Sequence, residues 1–317
     1  MVLRAMIGGA IIMSLMALSS NVFMIVGLRW MQGIFTGSVG AVIALSSSMV
    51  PRNKLSLAMG IIMLAVFAGQ SIGPLLGGFI TDHFGYIATF IASGILLLIG
   101  FFIVLILVKE RFQKPAAEKV FSLRSMLKLA VSKKVIPLLI FMCLMSIGFS
   151  SVQPMISLRI KELLPDGKAA TIAGITFGTM GLTAALSSVI IGRMGNKIGI
   201  KKTLVFSCFL VGIIFLPLVW VSSVIILAIF IILTGLFRGS LQTSSNTLVG
   251  QSVLPEQHGV IFGLTQSASS LGYGLGPLIS GSLANTTGLS PLFGLAAAIF
   301  GLTGLFTIRW IENDVIG

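Results

Sequence analysis

The stretch Gly69-Gln70-Ser71-Ile72-Gly73-Pro74-Leu75-Leu76-Gly77-Gly78 decides the fold, and it lies in an apolar segment that runs from about residue 55 to residue 80. A helix of about 20 apolar residues crosses the hydrocarbon core of a bilayer, so the segment is long enough to span a membrane. Four glycines and a proline would destabilise a helix in water. In a bilayer, small residues let a neighbouring helix approach closely, and a proline bend is tolerated. The stretch therefore predicts a bent transmembrane helix with a small-residue face.

A related stretch, Gly272-Tyr273-Gly274-Leu275-Gly276-Pro277-Leu278-Ile279-Ser280-Gly281, follows about 203 positions later. Aligning residues 69–90 with residues 272–293 gives seven identities in 22 positions. The identical positions of the first copy are Gly69, Gly73, Pro74, Leu75, Gly78, Gly85 and Phe90. The repeat predicts a duplicated membrane protein with one bent helix in each half.

The pattern G-x-x-x-G-P-x-x-G-G resembles the fifth-helix antiporter motif of the major facilitator superfamily, in its drug/proton antiporter branch. The residues that match its fixed positions are Gly69, Gly73, Pro74, Gly77 and Gly78. The resemblance implies an all-α membrane bundle of two six-helix halves that works by alternating access. It also implies that Gly73-Pro74 and Gly276-Pro277 form bent interfaces that seal a central cavity against leak.

Composition places the chain in a membrane independently of the motif. Of 317 residues, 56% are hydrophobic and 9% are charged, and no soluble domain of this size hides that much apolar surface. The net charge of +13 would suit nucleic acid, but the basic residues lie in short loops between spans, so we expect no nucleic-acid partner. Cys143 and Cys208 fall inside apolar runs and are expected to be small core residues rather than a disulfide or metal pair.

Apolar runs of about 20 residues predict ten spans. Their approximate limits are 2–20, 22–49, 55–80, 87–108, 135–160, 171–192, 203–221, 223–250, 259–284 and 291–311. They divide the chain into a four-helix half (1–108), a basic linker (109–134) and a six-helix half (135–317). The linker has room for a short amphipathic helix near 121–129, although a solvated connection is the simpler interpretation.

The distribution of Lys and Arg predicts the orientation. With the linker in the cytoplasm, sixteen of the 21 basic residues face the cytoplasm and three face the outside. Basic residues are retained on the cytoplasmic side during membrane insertion. We therefore expect a multi-pass, monomeric protein of the cell membrane whose C-terminus is cytoplasmic.

The division into four and six spans departs from the six-plus-six plan of the resemblance. The repeat offset aligns the span that begins at Thr203 with Met1. The chain would then correspond to helices three to twelve, and by analogy with the second half we expect two helices, about 70 residues, to be absent from the first half.

Two further segments resemble motifs of the family. Arg29 and Gly33 match the fourth-helix motif R-x-x-x-G, which the resemblance links to proton coupling. An arginine within a span is costly unless it is paired or hydrated, and the alternative is a side chain that reaches the nearby interface. The segment 192–202 resembles a basic loop motif, or else is ordinary positive-inside charge. The matching residues of that loop are Gly195, Lys197, Gly199, Lys201 and Lys202, while Asn196 stands where the family prefers aspartate.

Polar residues at helical spacing within the predicted spans indicate a substrate cavity. The candidates are Gln32, Gln153, Arg238, Gln242, Asn246, Gln266 and Tyr273. Arg238 either binds an anionic or polar substrate or pairs with another helix.

The titratable residues are distributed unexpectedly for a proton antiporter. All eight acidic residues fall in predicted loops or tails, and neither histidine lies in a predicted span. A proton antiporter needs a group that titrates in its cavity, so the proton carrier is not visible. No cluster of nucleophiles, acids or histidines suggests an enzyme, a metal site or a bound cofactor.

These observations predict a secondary active transporter that exports drugs or small amphipathic molecules and draws on the proton gradient. Its expected partners are membrane lipid, a small-molecule substrate and protons. The alternative is a truncated remnant, or a partial subunit that needs another polypeptide and has no independent transport activity.

Overall fold

The computed structural model describes residues 2–35, 40, 43–44, 46–47, 50–107, 129–164 and 169–311. This part of the chain is helical and contains no strand. Its helices are α1 (Val2–Ala17), α2 (Val22–Phe35), α3 (Leu55–Leu107), α4 (Ile136–Leu163), α5 (Ala169–Ile198), α6 (Ile200–Phe215), α7 (Val224–Gln251), α8 (His258–Thr287) and α9 (Pro291–Trp310). Single 3-10 turns occupy Arg52–Lys54, Pro217–Val219 and Pro255–Gln257. Residues 108–128, which hold most of the predicted linker and all but the last residue of the expected amphipathic helix near 121–129, lie outside the described residues.

Helix α3 contains two of the predicted spans in one run of 53 residues. Gly85, with φ 81° and ψ 174°, breaks the run into a first arm (55–84) and a second arm (86–107). Residues with side chains rarely adopt this conformation, so glycine is required at the break. The sequence predicts a turn over residues 82–85, but Asp82, His83 and Phe84 remain helical and the chain turns at Gly85 alone.

Six of the described helices are long and apolar enough to cross a membrane: α3, α4, α5, α6 with the 3-10 turn that follows it, α7 and α9. Helices α1 and α2 are apolar but shorter, and α8, with 30 residues, is not among the six. Apolar side chains cover the outside of the bundle, as lipid contact requires, with Phe23 and Leu278 at 88% and 70% exposure. The protein is therefore an all-α membrane bundle, while the count of ten spans stays a prediction.

Side-chain packing holds each half of the bundle together, and one helix joins the two halves. In the second half, Phe300 lies at the centre of an aromatic cluster, with its ring centroid 4.7 Å from that of Phe149 and 5.9 Å from that of Phe215. In the first half, α1 packs on the second arm of α3, where Gly94 leaves space for the Ser14 hydroxyl and the Ala10 carbonyl. The first arm of α3 joins the halves, since it packs against α5 and α7.

Candidate transport cavity

A cavity of about 510 Å³ lies between the first arm of α3 and helices α4, α5, α7 and α8. Pockets for small molecules usually have volumes of about 300–1,000 Å³. The polar side chains that line it are Gln70, Ser146, Gln153, Arg238, Gln242, Asn246, Thr265, Gln266, Ser269 and Tyr273. The large apolar side chains that line it are Ile43, Met63, Val66, Phe67, Met142, Phe177, Met180 and Phe262. Methionine and phenylalanine together provide an adaptable apolar surface.

Six of the seven predicted cavity residues lie around this one space: Gln153, Arg238, Gln242, Asn246, Gln266 and Tyr273. They come from three helices, α4, α7 and α8, and helical spacing turns each set toward the same centre. Asn246 is buried and its amide nitrogen lies 3.5 Å from the sulfur of Met63, which connects α7 with α3. Substrate contact by these residues stays a prediction.

Gln32 does not line the cavity. It lies on α2, where its Oε1 accepts a hydrogen bond of 3.0 Å from the Nη1 of Arg29. Arg29 is exposed on this helix, and Gly33 follows it by one turn. The motif residues of α2 therefore lie on a different surface from the cavity.

Sequence reasoning did not single out Gln70, Ser146 or Ser269 as lining residues. Gln70 carried the clearest signal, because it follows Gly69 within the deciding stretch and is a polar residue in the middle of an apolar span. Ser146 and Ser269 carried little signal, since serine is common in membrane helices as a small packing residue.

Arg238 is the charged residue of the cavity lining, which otherwise consists of neutral side chains among the described residues. Its guanidinium carbon lies 5.0 Å from the centroid of the Phe149 ring, within the range of a cation–π contact. Arg238 is half-buried, so its head is held against α4 at the cavity wall.

At one end of the cavity, which we call the His258 end, the two halves meet through a buried histidine. The Nδ1 of His258 lies 2.8 Å from the Ser47 hydroxyl oxygen, and its Nε2 lies 2.9 Å from the Gly250 carbonyl oxygen. His258 is 4% exposed. The sequence places His258 just outside the predicted span 259–284, but it is the first residue of α8, and its partners bury it. His83 is also helical, within α3, but it is exposed.

At the opposite end, which we call the Asp82 end, a carboxylate joins the halves. The Oδ2 of Asp82 accepts a hydrogen bond of 2.9 Å from the Thr171 backbone N–H, and another from the Thr171 hydroxyl. Thr171 lies in the first turn of α5, where the helix dipole favours a negative charge. Asp82 lies 27 residues after the start of α3, which corresponds to roughly 40 Å at about 1.5 Å per residue.

The antiporter-motif helix uses one of its faces for close packing. A Cβ on Gly181 of α5 would lie 2.8 Å from the Ser71 backbone, and a Cβ on Gly174 would lie 2.5 Å from the Pro74 carbonyl oxygen. The Ser71 hydroxyl donates to the Gly178 carbonyl oxygen. Gly78 belongs to the same contact, since a Cβ there would lie 2.7 Å from the Ala170 carbonyl oxygen. The stripe Gly174, Gly178 and Gly181 was not anticipated, although small residues at this spacing are a recognisable signal for helix contact.

The remaining motif glycines lie on another face. No described heavy atom lies within 4 Å of a Cβ added at Gly69 or Gly73, and Gly77 approaches only a Thr89 methyl group at 3.9 Å. Their repeat counterparts behave differently. A Cβ on Gly276 would lie 2.8 Å from the Ser151 nitrogen of α4, and Gly272 packs equally closely on α4, with Pro277 following in the interior of α8.

The basic loop motif lies at the junction of α5 and α6. Gly199 has φ 93° and precedes α6, and the Lys201 Nζ donates a hydrogen bond of 3.1 Å to the Ile308 carbonyl oxygen of α9. Gly195 lies against the Ser56 hydroxyl of α3. The side chains of Asn196 and Lys197 lie outside what the structure describes. Lys201 thus fastens α6 to the end of α9.

The sequence profile of the Major Facilitator Superfamily matches residues 1–164 and residues 138–316. The chain belongs to the Major Facilitator Superfamily. The family and the fold are those of transporters rather than enzymes.

The relatives of this major facilitator chain include multidrug transporters. It is 31% identical to the multi-drug resistance efflux pump PmrA homolog of Lactococcus lactis over 310 residues, which are 97% of this chain and 75% of the relative. It is 28% identical to the multidrug resistance protein MdtG of Klebsiella pneumoniae over 309 residues, again 97% of this chain and 75% of the relative. In fold it resembles the human organic anion transporter MFSD10 (TETRAN), with a TM-score of 0.74, 20% identity, and coverage of 96% of this chain and 76% of that one.

Proposed function

We propose that this major facilitator chain exports drugs or small amphipathic molecules across the cell membrane by alternating access, driven by the proton gradient. The cavity between the halves supports the proposal most directly, since its lining mixes amides, aromatic rings and methionines and suits varied amphipathic ligands. Inter-half contacts at the His258 end and at the Asp82 end are the elements that would open in turn. The names of the multidrug relatives support the substrate class.

Transport in reconstituted vesicles tests this proposal. Purified protein in liposomes, loaded with an amphipathic fluorescent dye and subjected to an imposed pH gradient, should move the dye faster than protein-free liposomes. A protonophore should abolish the difference. The double variant Q242A/N246A should slow transport, while R309Q, which changes an exposed arginine far along α9, should leave it unaltered. Equal dye movement with and without protein would contradict the proposal.

Proton coupling requires a group that changes its charge near neutral pH, and we propose His258 for that role. Histidine ordinarily titrates near pH 6.5. In the neutral ring, Nε2–H donates to the Gly250 carbonyl oxygen, and Nδ1 accepts from the Ser47 hydroxyl. In the protonated ring both nitrogens donate. The Ser47 hydroxyl then accepts from Nδ1–H and donates to the Ala44 carbonyl oxygen, which lies 2.8 Å away. Two charged residues lie close to this end along the chain. Glu256 precedes His258 by two residues, and Lys54 precedes Leu55, whose side chain packs at Gly250.

A second candidate function is that of a subunit completed by another polypeptide. The packing of the two repeat copies favours it. A Cβ added at Gly69 or Gly73 would meet no described heavy atom within 4 Å, whereas the corresponding Gly272 and Gly276 are packed against α4. Purified chain that moves dye unaided would exclude this candidate. If transport instead needs a second polypeptide, Gly73→Leu should block the rescue, because the open face would then be covered.

A further inference from the structure

The cavity lining carries a single charged side chain among the described residues, and this charge bears on which substrates the proposed export would take. Arg238 brings one positive charge to the wall, and no described lining residue brings a negative one. Within the described part of the chain, its guanidinium makes no hydrogen bond or ion pair, and its contact is the face of the Phe149 ring. A positive charge in a membrane interior is costly without a counter-charge, so a ligand that brings a negative charge to Arg238 would be favoured.

Other donors surround this charge. Ser146 precedes Phe149 by one helical turn on α4, and its buried hydroxyl has no hydrogen-bond partner among the described residues. Gln242 and Asn246 follow Arg238 by one and two turns on α7, so their amides lie on the same face of that helix. Arginine presents five N–H donors in a planar fork that matches a carboxylate or sulfonate.

The same cavity has a large apolar surface. Phe67, Phe177 and Met180 line it from α3 and α5. The lining thus combines donors and one positive charge with aromatic and thioether surface.

We propose that the cavity selects amphipathic anions, whose carboxylate or sulfonate binds Arg238 while their aromatic or alkyl body lies against the phenylalanine and methionine side chains of the lining. This inference rests on the proposed transport function and names its substrate class. A cation of the same shape would meet a like charge at short range in a poorly screened site, so it should bind less well.

A matched pair of dyes tests the charge preference directly. Fluorescein and a cationic rhodamine methyl ester share the xanthene core and differ in charge, so shape is held constant. Vesicles containing the wild-type protein should transport fluorescein in preference to the rhodamine ester. R238Q should reduce fluorescein transport by about tenfold, the usual scale for loss of a charge-assisted hydrogen bond, and should not reduce transport of the ester.

Two control variants make the result specific. R238K retains the charge but not the fork, so it should keep more fluorescein transport than R238Q. R309Q removes an exposed arginine of α9 and should leave both dyes unaffected. Thermal unfolding in detergent at the wild-type temperature would show that each variant is folded.

Different results would overturn the anion site and the proposed transport function. If the wild type prefers the rhodamine ester, or if R238Q reduces both dyes equally, the anion site is overturned while transport stands. If neither dye is transported, the proposed function fails, and fluorescein polarisation with purified protein then decides the site. Binding that R238Q abolishes would support the anion site, and absence of binding by the wild type would overturn it.

Discussion

Gly85 and Gly288, which are 203 positions apart, have the same backbone conformation: φ is 81° at both, and ψ is 174° and −177°. Gly85 ends the first arm of α3, and Gly288 ends α8. The sequence repeat is therefore present in the backbone as well. Both values lie in a region that glycine occupies almost alone.

Replacement of either glycine by alanine should destabilise the protein. We expect G85A and G288A each to lower the free energy of unfolding by about 1–3 kcal/mol, because alanine is strained in this conformation. Denaturant titration in mild detergent measures the change. Gly263→Ala is the matched control, since Gly263 is helical and no described atom lies within 4 Å of an added Cβ. Equal stability of G85A and G263A would show that the turn tolerates another conformation.

The close contact between α3 and α5 should not tolerate a methyl group. In G181A the new Cβ would lie 2.8 Å from the Ser71 Cα, and backbone atoms cannot move aside cheaply. We expect a loss of about 1–3 kcal/mol of stability by overpacking. Gly69→Ala, on the open face of α3, should be neutral or slightly stabilising, because alanine is the better helix former. Unfolding of G181A and Gly69→Ala at the same denaturant concentration would contradict the prediction that the contact between α3 and α5 excludes a methyl group.

Arg159 should stabilise the end of α4. Its Nη1 lies 2.9 Å from Glu162 Oε2 in an ion pair, and its Nη2 donates a hydrogen bond of 3.0 Å to the Val221 carbonyl oxygen. R159A should cost about 1.5–3 kcal/mol, whereas E162Q should cost less than about 1 kcal/mol because Glu162 is half exposed. Thermal unfolding of the two variants checks the order, and a larger loss in E162Q would contradict it.

Removal of the Asp82 charge should favour opening at that end of the cavity. D82N loses the attraction between a carboxylate and the N-terminus of α5, worth about 1 kcal/mol, or about a fivefold change in population. The readout is maleimide labelling of a cysteine at Ser269, a cavity-lining position, with Cys143 and Cys208 replaced by alanine. Labelling should accelerate from the Asp82 side. E162Q, whose charge lies on α4, is the control.

His258 should control both the opposite end and the pH response. H258N keeps one donor and one acceptor but cannot be protonated near neutral pH, so dye transport should persist with a flatter dependence on pH between about 5.5 and 7.5. S47A should loosen the same end and accelerate labelling at position 269 from that side while retaining the pH response. A pH profile that is unaltered in H258N would exclude this histidine as the proton-binding group.

Much of the fold follows from local chemistry. Apolar length predicts the helices, and the glycine–proline repeat predicts the relation between α3 and α8. The turn at residues 82–85 was placed too broadly, because polar Asp82 and His83 resemble loop residues, yet Asp82 remains helical and binds the N-terminus of α5. That partner lies 89 positions away and no local pattern reveals it.

The cavity was predictable from the polar stripes of α7 and α8, since helical spacing fixes which side chains share a face. Gln32 was misplaced because the same spacing argument cannot say which neighbour a face meets. His258 was missed for a related reason: a histidine that follows Pro255-Glu256-Gln257 has the sequence context of a loop, and its burial depends on Ser47, in a distant part of the chain.

The low apolar content of α8 bears on how the protein is made. This helix is not among those apolar enough to cross the membrane by themselves, and its glycines need the surface of α4. Its partition from the translocon into lipid should therefore be unfavourable until the earlier helices of the same half are in place. The half that carries Arg238 would then be assembled as a unit during synthesis, with α4 serving as the template on which α8 enters the bilayer.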